Sequence, residues 1–102
     1  MNTDDLISHS RARFDHVAAR RILREKYEAK MLFAYGDGMF RAGPELLTTL
    51  AACMSSNPVV ILDLYENPIK VIPEVLFDQA KQRWQEQMNA WLAEHEENNK
   101  KR

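Results

Sequence analysis

MLFAYGDGMFRAGPELLTTL, residues 31 to 50, decides how this chain is read, because VILDLYENPIKVIPEVLFDQ, residues 60 to 79, repeats its pattern 29 positions later. Laying one stretch over the other puts Pro44 on Pro73, Glu45 on Glu74, Leu47 on Leu76, Arg41 on Lys70, Phe40 on Ile69 and Asp37-Gly38 on Glu66-Asn67. Each copy reads as a hairpin, a proline and a helix. Internal periodicity of this kind ranks ahead of local signals in setting the architecture. Identity at three of the twenty aligned positions fits either duplication or convergence on one supersecondary unit. The fold expectation is the same for both.

In the first copy, Asp37-Gly38 is a pair that accepts the positive φ angles of a two-residue turn. Alternation then predicts one face of Met31, Phe33, Tyr35, Phe40 and Ala42 and another of Leu32, Ala34 and Arg41. The glycines Gly36, Gly38 and Gly43 link strands here and lack the strand-loop-helix setting of a phosphate cradle. In the second copy a Glu66-Asn67 turn pairs Leu64 with Ile69, Asp63 with Lys70 and Leu62 with Val71. That register predicts Val60, Leu62, Leu64, Ile69 and Val71 facing inward, with Asp63 and Lys70 paired outside at about 0.2–1 kcal/mol. A one-residue slip would bury the charges.

Helices flank and separate the hairpins. From about Ser10 to Lys30 there is no Gly or Pro, and Phe14, Val17, Ala18, Ile22 and Tyr27 fall roughly on one stripe. Residues 1 to 9 read as flexible, although Thr3 with Asp4 and Asp5 suits a helix start. Pro44 to about Ser55 reads as a short helix bearing Leu46, Leu47, Leu50 and Met54, because proline suits a first turn whose N–H is unpaired anyway. Pro73 opens the last helix, whose stripe of Phe77, Ala80, Trp84, Met88, Trp91 and His95 has the cleanest helical period in the chain. A helix from Pro73 to about Asn98 is about 39 Å long and the first about 30 Å, against a radius of gyration near 13 Å for a compact domain of this size. The long terminal helices therefore overhang or cover each other. The fold expected is α+β, ordered α-β-β-α-β-β-α: a four-stranded antiparallel sheet of two hairpins with three helices on one face.

The chain's 102 residues, 45% hydrophobic and 28% charged, suit one domain over residues 1 to 102, with 99 to 102 a frayed tail. No stretch reaches the ~18 apolar residues of a membrane span, and the polar, acidic start is unlike a secretory signal. Single Cys53 excludes an intrachain disulfide and reads as a buried helix residue. The net charge of −1 hides an asymmetry: residues 11 to 30 carry seven basic side chains, including Arg11, Arg13, Arg20, Arg21 and Arg24, against three acidic ones. Such a segment is a solvated helix face or a contact for nucleic acid or an acidic protein. His9 and His16 have no carboxylate or cysteine at ligand spacing, and the histidines, Cys53 and scattered carboxylates form no nucleophile-base-orienter set. We expect neither a cofactor nor a metal, and no enzyme.

The runs RARFDHVAARRILREKYEAKM, FAYGDGMFRAGPELL, DLYENPIKV and RWQEQMNAWLAEHEE resemble a family of small proteins of T-even-type tailed phages, over almost the whole chain after the first ten residues. The resemblance implies a minor component of the prohead core, working in the host cytoplasm or the virion. It implies that the basic first helix (Arg13, Arg20, Arg21, Arg24) and the helix carrying Trp84 and Trp91 contact other core or shell proteins of the phage; a homo-oligomer is a separate expectation for such long helices. The residues alone admit a second class, a small nucleic-acid-binding or regulatory protein whose arginines meet phosphates.

Overall fold

The computed structural model describes residues 3 to 100, with side chains throughout except at positions 4, 5 and 8 to 14. Its elements are α1 (Thr3–Lys30), β1 (Leu32–Tyr35), β2 (Gly38–Arg41), α2 (Pro44–Ala52), β3 (Val59–Leu62), β4 (Pro68–Val71) and α3 (Pro73–Lys100). The α+β order follows the sequence reading. Helix α1 begins at Thr3 rather than near Ser10, in a stretch free of helix-breaking Gly and Pro.

The first hairpin pairs Leu32 with Arg41, Phe33 with Phe40, Ala34 with Met39 and Tyr35 with Gly38. Its turn is therefore Gly36-Asp37, one residue before the Asp37-Gly38 pair, with Gly36 supplying the positive φ of 56°. That correction shifts every pairing by two residues. An even shift leaves the faces alone, so Met31, Phe33, Phe40 and Ala42 are buried and Tyr35 half-buried, as alternation predicts.

The second hairpin departs further. Val59 pairs with Val71, Val60 with Lys70, Ile61 with Ile69 and Leu62 with Pro68, leaving residues 63 to 67 as a five-residue loop. Against the Glu66-Asn67 turn this is an odd shift, and it inverts β3 relative to β4. Val60 and Leu62 are 64% and 62% exposed, Val59 and Ile61 lie inward with Ile69 and Val71, and Lys70 stands outside opposite Val60. Asp63 is buried in the loop instead of pairing with Lys70. Its carboxylate accepts the N–H groups of Tyr65 and Asn67, each at 2.9 Å, and its own N–H donates to the Asn67 carbonyl. An aspartate that satisfies its own loop in this way competes with a tight two-residue turn.

The expected four-stranded sheet is instead two separate two-stranded sheets. Met39 shows why. Its N–H donates to the Asp63 carboxylate at 3.2 Å and its carbonyl accepts from Leu64 N–H at 2.7 Å. The edge of β2 is thus closed by a loop, where a neighbouring strand would have continued a ladder. Gly38 lets the hairpins come together: a Cβ there would stand 2.9 Å from Ile69 Cγ1 and 3.2 Å from Asp63 Cβ.

Over the shared inner face sit Leu50 of α2 and Leu76 and Ala80 of α3, all fully buried with Phe40 and Val71. Helix α3 continues past this core and packs along α1, which buries Leu23 and Tyr27 but leaves Val17 and Ile22 52% and 61% exposed. The inward stripe of α1 is thus Leu23-Tyr27, continued by Met31 just past its end, and is rotated from the stripe through Val17 and Ile22; Phe14 lies outside the described side chains. The result is elongated, 67 × 24 × 21 Å with a radius of gyration of 19.3 Å, well above the ~13 Å of a compact domain.

Candidate protein-interaction site on the helical arm

The α1–α3 arm is built from antiparallel contacts that can be followed residue by residue. At its root the Arg83 guanidinium donates to the Lys30 carbonyl at 3.4 Å, taking up a C-terminal carbonyl of α1, and lies 6.0 Å from the Phe33 ring centre. One step outward, Tyr27 stacks on Trp91 with centroids 5.8 Å apart and planes 7° from parallel. The Tyr27 hydroxyl donates to Glu94 at 2.7 Å, and the Lys26 ammonium donates to the same carboxylate oxygen. Both bonds hold the Glu94 carboxyl below the usual carboxylate range, the Lys26 bond more strongly. Reciprocally, the bond to Glu94 raises Lys26 and Tyr27 above their ordinary values.

Beyond the Tyr27–Trp91 stack the two helices open into a groove of about 560 Å³. Its apolar walls are Val17, Leu23 and Trp91, and its rim is Arg20, Arg21, Arg24 and His95. Ion pairs among the described residues are Lys26–Glu94 and an exposed Arg24–Glu28 contact at 4.0 Å, so Arg20 and Arg21 enter none. The structure therefore brings Arg20, Arg21, Arg24 and Trp91 into one place. Trp84 lies elsewhere, half-buried against the core, and Arg13 is outside the described side chains. Glu94, the hub of the arm, was missed by sequence reasoning; its spacing of three from Trp91 was the available signal.

Among the described residues no cluster of three or more His, Cys, Asp or Glu could hold a metal ion, and no helix is long and apolar enough to cross a membrane. A second exposed apolar patch lies on the outer side of the second hairpin, where Val60, Leu62 and Tyr65 are each more than 60% exposed. The fold class is α+β, two hairpins under helices with a projecting two-helix arm. No family model, curated protein or solved structure matches the chain.

Proposed function

We propose that this chain is a non-enzymatic assembly protein that works through protein contacts of its long terminal helices. The observation that carries this reading is the arm itself. An elongated 67 Å molecule places an apolar groove with three arginines on its rim outside the core. Mixed apolar, aromatic and arginine surfaces of this kind concentrate binding energy at protein interfaces. The sequence resemblance to small T-even-type phage proteins supports placing that assembly in a phage prohead core. Affinity purification of the chain from its native source is the test. Stoichiometric recovery of defined partner proteins, lost when Arg20, Arg21 and Trp91 are replaced, is expected; a partnerless monomer contradicts the reading.

A nucleic-acid contact is the second reading, favoured by the three exposed arginines gathered at the groove. It requires affinity for DNA or RNA that falls steeply with salt. Absence of binding at low salt removes it.

A further inference from the structure

The hydrogen bonds of the first hairpin leave one sheet edge open. Ala42 N–H donates to the Met31 carbonyl at 2.8 Å, so by the alternation of an antiparallel ladder Phe33–Phe40 and Tyr35–Gly38 are the bonded pairs. Leu32 and Ala34 then turn their N–H and C=O groups away from β2. Met39 confirms the phase: it lies opposite Ala34 and directs both its main-chain groups away from β1, to Asp63 and Leu64. No backbone group of the described residues bonds to the outward groups of Leu32 and Ala34.

The other strand edges are closed. Those of β2 and β3 are turned to each other, since Leu64, which continues the alternation of Val60 and Leu62, donates to Met39. The edge of β4 presents Pro68, which has no N–H, and the charged Lys70, two devices that discourage strand addition. β1, Leu-Phe-Ala-Tyr, carries neither proline nor charge, and Ala34 is exposed. Beside it lies a cleft of about 270 Å³, between Phe33 and Ala34 on one side and Gln79, Gln82, Arg83 and Glu86 of α3 on the other. Arg83 and Glu86 enter no ion pair among the described residues. A wall of one cation, one anion and two amides is complementary to a copy of itself.

We infer that a second copy of this chain adds its β1 to this edge. The outward groups stand two residues apart on an extended strand, a spacing that another extended strand matches and a helix does not. Two β1 strands run antiparallel about a two-fold axis at Phe33, which sets Leu32 of each copy against Ala34 of the other as bonded pairs. The hairpins become one continuous sheet in the order β2-β1-β1-β2. The same axis sets the two clefts together, where Arg83 of each copy meets Glu86 of the other. The edge lies outside the arm, so the inference goes beyond the assembly reading and does not rest on it.

Equilibrium sedimentation and residue-resolved amide exchange of the full chain, from about 20 to 500 µM, test it by mass action. A dimer is expected, with the Leu32 and Ala34 amides gaining protection as it fills. Ala34→Pro removes an edge donor that the β1–β2 ladder does not use, and should weaken the dimer about tenfold or more because the two-fold axis repeats the loss. Glu86→Arg should weaken it too, by setting like charges together in the clefts. Circular dichroism checks folding, and if Ala34→Pro does not fold, Glu86→Arg and the wild-type exchange pattern still decide. A monomer at every concentration overturns the self-pairing, as does a dimer that leaves the Leu32 and Ala34 amides unprotected or is indifferent to both substitutions. A monomer whose Leu32 and Ala34 amides become protected only on adding a protein from the native source also overturns it, and gives the edge to a foreign strand. Recovery of other proteins through Arg20, Arg21 and Trp91 tests the assembly reading separately.

Discussion

Tyr27 and Trp91 stack nearly parallel, 5.8 Å between centroids, and this pair is where the core ends and the arm begins. Inward of it the helices are tied by Arg83 and Lys30; outward lies the groove. Replacing Trp91 with Ala removes the stack and a groove wall together. We expect a loss of about 1–3 kcal/mol in urea unfolding, most of it recovered by Trp91→Phe.

The Lys26-Tyr27-Glu94 cluster makes the arm sensitive to pH at both ends of the scale. Glu94 is depressed in the folded chain, so its contribution is complete above the ordinary carboxylate range and is lost as pH falls below about 4. Lys26 and Tyr27 are raised, so theirs is complete at neutral pH and is lost as pH climbs above about 10. Glu94→Gln should flatten both limbs in thermal melts followed by Trp fluorescence. Unchanged pH dependence in that variant would contradict the assignment.

Asp63 ties the hairpins through its bonds to Tyr65, Asn67 and Met39. Those N–H groups, that of Asn67 most strongly, hold its carboxyl below the ordinary range, so it too gives up stability as pH falls below about 4. Asp63→Ala should lower Tm by several degrees and Asp63→Asn by less, since the amide oxygen keeps part of the acceptor set. Equal melting of Asp63→Ala and wild type would show that the loop clasp contributes nothing.

Gly38 is required by close approach rather than by its turn. A methyl group at 2.9 Å from Ile69 and 3.1 Å from Phe40 forces the hairpins apart, and Gly38→Ala should cost about 1–3 kcal/mol. Chemical denaturation measures it. By contrast Gly43, which has nothing within 4 Å of its Cβ position, should accept alanine with little change.

Leu76→Ala opens a cavity in the fully buried core and should destabilise by about 2–5 kcal/mol. Leu62→Thr, on the outer face, should stay within about 0.5 kcal/mol. The register predicted from the Glu66-Asn67 turn has Leu62 inward, so the comparison tests the inversion of β3 directly.

Much of this fold was legible where the chain carries local signals. Pro44 and Pro73 open α2 and α3, and the faces of the first hairpin survive a misplaced turn because a two-residue shift preserves them. The second hairpin was misread because Asp63 looks in sequence like a strand residue fit to pair with Lys70. In the fold its carboxylate organises a five-residue loop and reaches Met39, 24 positions away. That long-range bond also splits the expected sheet in two, and no alternation pattern records it. Of the candidate site, the overhanging helices and the basic run were visible, whereas the side of α1 that meets α3 was not. Exposed Val17 and Ile22 gave α1 more apolar positions than one stripe can hold.

The most direct test of the account is site-specific photo-cross-linking in the native source, with a photoreactive side chain placed in turn at Arg21, Leu92, Val60 and Leu62. The account predicts discrete protein adducts from Arg21 and Leu92, on the arm, and few from the hairpin positions Val60 and Leu62. Adducts confined to Val60 and Leu62, or none from the arm, would contradict it.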